Sequence, residues 1–262
     1  MDFLKTLWKN KKLAAKLGKN DFRNRFANTS LGTIWGFAQP FVFMLTYVIV
    51  FQYILKSGSS GRYPYVVWFL PGMSMWMFLS DAILTASNSI RNYSYLVKKV
   101  VFPVDIIPVI SLASASFIGI FLIVISIIVG SIFGYIPNFL IVIYILFCAF
   151  CFIISLTRFT SALTTVVPDF AQLLTIVIQL CMWFTPIIWN LSMLSEKWRI
   201  LFKIFPFTYL VEGFRQAFME DSNIITDQNF MFTAIFWAIT LIIFMWGNRV
   251  FKKAKKDFAD VL

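Results

Sequence analysis

Six long apolar runs dominate the chain, and short stretches containing charge, glycine or proline separate them. They cover residues 33–55, 66–89, 108–130, 139–157, 170–191 and 230–247. A helix needs about 20 apolar residues to cross the hydrocarbon core of a bilayer, so each run can form one transmembrane helix. The pattern predicts an all-α polytopic membrane protein with six transmembrane helices.

The segment before the first run has a different pattern. Residues 3–23 repeat lysine or arginine every three or four positions, and apolar side chains occupy the opposite face. Such a helix lies in the membrane interface with its basic side chains towards anionic lipid headgroups. An anchor that sets the topology is favoured over a collar that guides a substrate. The side chains assigned to this interface helix are Phe3, Leu7, Trp8, Lys12 and Lys16.

The composition indicates one membrane domain. Hydrophobic residues make up 60% of the chain and charged residues 13%, whereas soluble domains average about 45–50% and about 25%. A surface that faces water therefore cannot surround the whole chain. We predict a single transmembrane domain over residues 1–262, made of an interface helix (1–32), a six-helix bundle (33–247) and a tail (248–262).

The basic residues set the predicted orientation. Of the 23 lysines and arginines, 17 lie in the N-terminal segment, the second and fourth connections and the C-terminal tail, and the other six lie on the opposite side. The positive-inside rule places the richer side, and with it both termini, in the cytoplasm. This topology explains most of the net charge of +11, so no nucleic-acid partner is predicted.

Residues able to do chemistry are scarce. The chain has no histidine, and Cys148, Cys151 and Cys181 lie in apolar runs without the further ligands that a zinc site needs. Asp81 is the only acidic residue within a predicted span, and no cation lies near it in sequence. We predict no catalytic residue, metal site or cofactor in this chain, and proton coupling is disfavoured.

Two of the runs carry a polar and aromatic face. Amides inside a bilayer must find partners or water, so these faces either line a path for a hydroxyl-rich substrate or hold helices together. Flat aromatic rings suit the C–H faces of sugar rings, and amides suit their hydroxyls. The candidate path residues are Gln39, Phe43, Thr46 and Tyr47 in the first run and Gln172, Gln179, Trp183 and Asn190 in the fifth.

Two connections have helical patterns of their own. The second, around residues 90–103, predicts a short amphipathic cytoplasmic helix that Pro103 ends, either an element that transmits force or a plain surface helix. The fifth, residues 192–229, contains two helical pieces that Pro206 separates and that are too short to span. We expect them to dip into the outer leaflet as a re-entrant hairpin, either a lid or an interfacial anchor.

Five motifs along the chain can be compared as a set. They are DFRNRFANTSLGTIWGFAQP at 21–40, LPG at 70–72, KKVVFP at 98–103, WFTPI at 183–187 and FKKAKKDFADVL at 251–262. Their order and spacing, over nearly the whole chain, resemble those of the membrane permeases of polysaccharide ABC exporters, which export O-antigen, capsular polysaccharide and teichoic acid. One departure is VPDF at 167–170, where the family often has an Arg-Asp pair; we expect Asp169 to cap the following helix instead.

The resemblance implies a homodimer in the bacterial cytoplasmic (inner) membrane that moves a lipid-linked glycan among the membrane lipids. A separate cytoplasmic ATPase would bind ATP and magnesium, in agreement with the lack of a G-x-x-x-x-G-K-[ST] loop here. The coupling helix that docks in this ATPase would carry Arg91, Tyr95, Leu96, Lys98, Lys99 and Phe102. An outside gate would contain Trp198, Phe202, Phe205, Tyr209 and Arg215.

Three other functions stay open at this point. A drug or small-lipid exporter permease would share the architecture, although the amide-bearing faces argue mildly against it. A membrane-embedded transferase acting on lipid-linked sugars would need clustered Asp, Glu or His at one membrane depth. An ion-coupled transporter is disfavoured by the same scarcity of ionisable residues. Copurification with an ATPase separates the exporters from the other two.

Overall fold

Helices form the regular structure of the computed structural model, which describes residues 2–54, 63–99, 102–219 and 227–262. No β-strand occurs in these ranges, so the prediction of an all-α protein is confirmed. In chain order the helices are α1 (Asp2–Lys9), α2 (Lys11–Arg25), α3 (Ile34–Val48), α4 (Tyr65–Asn92), α5 (Ser94–Lys99), α6 (Ile107–Ile132), α7 (Phe139–Val166), α8 (Phe170–Phe184), α9 (Glu196–Ile204), α10 (Pro206–Gln216), α11 (Asp227–Ala254) and α12 (Phe258–Val261).

Five helical segments in the described ranges are long and apolar enough to cross a membrane. They correspond to the first four predicted spans and the sixth. The last one differs from its prediction because α11 continues to Ala254, which takes up the first residues of the predicted tail 248–262. The five segments are Ile34–Gln52, Tyr65–Asn92, Val104–Ile132, Phe139–Val166 and Phe230–Ala254.

The fifth predicted span is not one continuous helix. α8 ends at Phe184, because Pro186 lacks an amide hydrogen and disfavours helical geometry at Thr185, whose φ and ψ are −84° and 133°. The 15 residues of α8 rise about 22 Å, less than the thickness of a hydrocarbon core. A non-helical stretch follows in which Thr185 and Ile187 are fully buried. A count of six spans is therefore not confirmed.

α4 lies at the centre of the bundle. Most of its side chains are buried, and it packs against α6, α7 and α10. α6 approaches it closely at Gly119, where an added Cβ would overlap the ring of Phe78 on α4. α11 approaches α7 in the same manner, since a Cβ on Gly247 would lie 3.1 Å from the backbone nitrogen of Phe159. Such small residues let membrane helices gain packing energy that the lipid cannot supply.

The bundle has two ends, which we name the α5 end and the α10 end. α5 packs against α12 at the first, and α1 contacts the turn Val104–Ile106 there. At the second, α10 packs within the bundle, with Phe207, Leu210 and Phe214 buried against α4 and α7. The two helical pieces predicted in the fifth connection are thus present as α9 and α10. A re-entrant hairpin is not confirmed.

Candidate functional site

A groove of about 790 Å³ opens beside α3, between this helix, α4, α6 and the end of α2. Three of the path residues predicted in the first run, Gln39, Phe43 and Thr46, line it. The fourth, Tyr47, turns towards α4, and its ring stacks on those of Phe51 and Phe69. The structure therefore brings the predicted polar face of α3 to a groove, but assigns Tyr47 to an aromatic stack.

An ion pair lies in the wall of this groove. Arg25 Nη2 is 2.8 Å from Asp81 Oδ1 and donates a hydrogen bond to Thr85 Oγ1 at 2.7 Å. Arg25 stands in the last turn of α2, 56 residues before Asp81, so proximity in sequence gave no sign of this partner. Because both side chains are partly exposed, the pair contributes only about 0–1 kcal/mol to stability. Its clearer effect is to fix the end of α2 beside α4.

The path residues predicted in the fifth run lie apart from this groove. Gln172, Gln179 and Trp183 are exposed on α8, of which only Leu174 and Ile178 are buried. None of the three lines the groove beside α3. The two predicted faces are therefore both exposed, but a single chain does not join them around one cavity.

The structure contradicts two predictions next to α8, that Asn190 shares a helical face with Gln179 and that Asp169 caps the helix. Asn190 lies beyond the helix, where its side-chain oxygen accepts a hydrogen bond from the Ser192 amide at 2.9 Å, so it does not share the face of Gln179. Asp169 precedes α8 directly, yet its side chain makes no capping hydrogen bond. Its backbone is helical (φ −66°, ψ −19°), whereas a capping side chain normally belongs to a residue in the extended region.

The predicted coupling segment is divided between two helices. Arg91 belongs to the last turn of α4, and α5 begins only at Ser94. Tyr93 stands at the joint, and its hydroxyl donates a hydrogen bond to Asp21 of α2. Burial, and then this hydrogen bond, raise the pKa of Tyr93, so the hydroxyl stays protonated and keeps donating. The joint between α4 and α5 is thereby tied to the N-terminal region.

α5 exposes part of the predicted docking surface. Tyr95 and Lys98 are exposed and Leu96 is half-buried, whereas the side chain of Lys99 lies outside the described part of the chain. Phe102 is half-buried and packs on the buried clusters at the α5 end. A partner protein could thus contact Tyr95 and Lys98 directly, while Phe102 attaches the segment to the bundle.

α1 and α2 replace the single interface helix that was predicted, and they meet at Asn10. Lys12 and Lys16 are exposed, as expected for a basic face. Trp8 is 74% exposed, while Leu7 is half-buried. These four side chains are compatible with the predicted membrane interface.

Phe3 is an exception among the interface residues, because it does not face outward. It is buried at the α5 end, with its ring centroid 6.1 Å from that of Phe244 on α11. α2 is also seated on the bundle, since an added Cβ on Gly18 would lie 2.7 Å from Cβ of Ala113 on α6. The N-terminal region therefore packs on protein as well as carrying an exposed basic surface.

The predicted gate residues divide between the surface and the bundle. Trp198 is exposed on α9, and Phe202 packs on the ring of Trp189 in the stretch after α8. Phe205 is half-buried where α9 meets α10. Tyr209 lies inside, with its hydroxyl 3.2 Å from that of Tyr144 on α7. α9 is therefore the more exposed of the two helices.

Arg215, the last predicted gate residue, is fully buried. Its guanidinium pairs with Glu212, and it donates hydrogen bonds to the carbonyl oxygens of Trp68 (2.8 Å) and Ile187 (3.2 Å). Its Cζ lies 3.9 Å from the ring centroid of Trp68. A Cβ on Gly72 would overlap Nη2, so glycine is needed there. Arg215 thus supplies a partner to backbone that the non-helical stretch after α8 leaves unpaired.

Arg158 of α7 is a second buried arginine, which the sequence suggests only as a loop charge. Nη2 donates hydrogen bonds to Asp105 Oδ1 (3.0 Å) and Asn248 Oδ1 (2.9 Å). Cζ lies 4.1 Å from the ring centroids of both Phe3 and Phe251. The available signal was the run of small and apolar residues that follows, which continues α7 to Val166 and so places Arg158 within a helix.

The sequence is similar to those of known proteins over most of its length. A family model described as ABC-2 type transporter matches residues 15–219. The O-antigen export system permease protein RfbA of Klebsiella pneumoniae is 24% identical over 256 residues, 95% of each chain. A second protein of that name and organism is 24% identical over 262 residues, again 95% of each chain. The namesake in Myxococcus xanthus is 19% identical over 261 residues, 98% of each chain.

These matches confirm the family resemblance that the motifs suggested. They point to a transporter subunit rather than an enzyme, and the five apolar helical segments agree with a protein that passes several times through a membrane. The family model alone covers well over half of the chain. The chain belongs to the ABC-2 type transporter family.

Proposed function

We propose that this chain is the transmembrane subunit of an ABC exporter that moves a lipid-linked polysaccharide, of the O-antigen, capsular or teichoic-acid type, across the cytoplasmic membrane. A separate cytoplasmic ATPase supplies the energy by hydrolysing ATP. The observation that carries the proposal is similarity to O-antigen export permeases from end to end, over 95% or more of both chains. Family membership supports the ATPase partner.

The exposed amides support a polysaccharide path. Gln39 on α3 and Gln172 and Gln179 on α8 are exposed among apolar neighbours. An amide that faces lipid has no hydrogen-bond partner, so such residues are expected to face water, a substrate or another chain. Phe43 beside Gln39 adds an aromatic face against which a sugar ring can pack. The groove beside α3 forms one wall of the proposed path.

A second copy of the chain completes the path in this proposal. α3 and α8 are the least buried of the apolar helices, with two buried residues each. Both pack on α4, so their free surfaces can meet a partner without rearranging the core. Pairing two copies through these surfaces would enclose the amides that a single chain leaves exposed. The fifth crossing would then consist of α8 and the buried non-helical stretch after it.

In this proposal, the ATPase exerts its force at the α5 end. Both termini and α5 lie in the cytoplasm, and Tyr95 and Lys98 contact the ATPase. Closure of two ATPase subunits on ATP would push each α5 and shift the bundles relative to one another, a rigid-body movement of a kind common in transporters. The chain itself supplies shape, gating and stacking surfaces, while bond breaking occurs on the ATPase.

Deleting the gene tests the proposal. We expect a lipid-linked glycan to accumulate inside the cell and the same glycan to disappear from the surface. Restoring the wild-type chain should restore export only when the copurifying ATPase has an intact phosphate-binding lysine. Unchanged surface glycan would contradict the polysaccharide substrate and favour a drug or small lipid. Glycan movement in vesicles that hydrolyse no nucleotide would contradict the ATP-driven mechanism.

The amides of the proposed path can be tested separately. The double substitution Gln39→Leu and Gln179→Leu removes two hydrogen-bonding groups while keeping side-chain size, so we expect severalfold slower export with normal accumulation in the membrane. Ile176→Leu, also on an exposed position of α8, is the matched control and should export normally. Equal export rates for both variants and the wild type would show that these amides do not face the substrate.

A further inference from the structure

One carboxylate joins the predicted coupling segment to the rest of the α5 end. Asp105 lies three residues after Phe102, in the turn Val104–Ile106 that leads into α6. Its Oδ1 accepts the hydrogen bond from Arg158, and its Oδ2 lies 2.5 Å from Nζ of Lys255, just beyond the end of α11. The end of the coupling segment is therefore held by α7 and by the C-terminal region at the same time.

Apolar contacts bring the same elements together. Phe258 of α12 is fully buried against Phe251 of α11, with ring centroids 5.6 Å apart. Val97 of α5 packs against this cluster, and Phe3 of α1 lies on Arg158. α1 and α11 thus contact Arg158 of α7 directly, whereas α5 and α12 pack on the cluster that includes Phe251. A displacement of α5 reaches the pair of Arg158 and Asp105 through this cluster.

Only one of the three guanidinium nitrogen atoms of Arg158 has hydrogen-bond acceptors among the described groups. Nη2 has two acceptors, whereas Nε and Nη1 are buried and find no acceptor among the described protein groups. A buried ion pair is weak evidence for a purely stabilising role, because apolar side chains of similar volume often stabilise as well or better. Donors without acceptors can gain partners when neighbouring elements move. Such a pair suits a contact that is remade during movement.

We infer that Arg158 is a positioning residue through which movement of α5 reaches α7 and α11. This inference rests on the proposed function, since it requires an ATPase that pushes α5. Asp105 is the connecting group because its two oxygens hold Arg158 and Lys255 separately. Phe102 anchors the same segment by apolar contact, so α5 remains attached even if the ion pairs are lost. A substitution at Asp105 can therefore weaken the transmission of movement without detaching α5 from the bundle.

Asp105→Asn, in the purified complex of this chain with its ATPase in liposomes, tests the inference. The amide keeps the size of the side chain but removes its charge. We expect glycan export per ATP hydrolysed to fall about tenfold, within the range typical of coupling free energies. The ATPase should still copurify, and its hydrolysis rate should stay within about twofold of the wild type. A change confined to this ratio is not expected from a residue that merely supports the fold.

Lys255→Met provides a second test at a more exposed position. It removes one of the two bonds to Asp105, so export per ATP should fall about threefold, in keeping with a partly exposed ion pair. Lys256→Met is the matched control, since this neighbouring lysine is exposed, and it should behave as the wild type. If Asp105→Asn does not accumulate in the membrane, the comparison of these two lysines decides.

Three results would overturn the inference. They are normal export per ATP by Asp105→Asn, loss of the ATPase from that variant, and equal export by Lys255→Met and Lys256→Met. A wild-type complex that hydrolyses ATP and moves no glycan would instead contradict the proposed function, and the role of Arg158 would fall with it. If the wild-type complex exports glycan and Asp105→Asn and Lys255→Met export equally well per ATP, the role of Arg158 is contradicted while the proposed function stands.

Discussion

Arg215→Ala is expected to lower the free energy of unfolding by about 3–5 kcal/mol, the cost typical of breaking a buried ion pair from one side. Glu212 would lose its partner, and the carbonyl oxygens of Trp68 and Ile187 would lose their donors in a place that water does not reach. Unfolding of the detergent-purified protein, followed by circular dichroism as denaturant is added, measures this loss.

Arg199→Ala is the matched control for that prediction. Arg199 of α9 is half-buried and donates one hydrogen bond, to the Leu194 carbonyl at 3.1 Å, so its loss should cost about 0.5–1.5 kcal/mol. Gly72→Ala should reproduce part of the Arg215 effect although Arg215 itself is retained, because the added methyl group displaces the guanidinium. Equal losses for Arg199→Ala and Arg215→Ala would contradict the central role of Arg215.

Gly119→Ala should destabilise the protein by about 1–3 kcal/mol, the usual cost of overpacking. The sign is informative, because the same change in an exposed helix stabilises by about 1 kcal/mol. At this position the new Cβ overlaps the ring of Phe78 on α4, which is itself buried. The same denaturant titration detects the change.

A double-mutant cycle with Phe78→Leu checks the cause of that loss. The smaller side chain makes room for the added methyl group, so the double variant should be more stable than the sum of the single effects predicts, by about 0.5–3 kcal/mol. Strictly additive losses would mean that Gly119 is needed for another reason than its approach to Phe78.

The long helices were predictable because the membrane imposes a minimum apolar length. α4, α6, α7 and α11 each follow from a run of apolar residues, and no detail of packing is needed to find them. The exposed face of α3 was equally accessible, since Gln39, Phe43 and Thr46 recur at helical spacing. Periodicity shows which side of a helix differs, and here that side lies along a groove.

Contacts between distant parts of the chain were not predictable in the same way. Arg25 and Asp81 are 56 residues apart, and Arg158 and Asp105 are 53 apart, so only the packed bundle brings them together. Phe3 was placed towards lipid because a single helix cannot reveal which neighbour covers its apolar face. The end of α8 is a different case, because Pro186 is visible in the sequence. The fifth span was predicted from apolar length alone, and this criterion does not detect the helix end that the proline causes.

The two ends of the chain are built into the same corner of the molecule. Phe3 lies on Arg158, and Phe258, four residues before the C-terminal Leu262, is fully buried near α5. An affinity tag or reporter inserted next to Phe3 or Phe258 would consequently lie beside the segment on which the ATPase is proposed to act. Topology mapping by serial truncation from the C-terminal side would remove the packing of Phe258 near α5 in every truncated form. Reporters inserted into loops keep this packing.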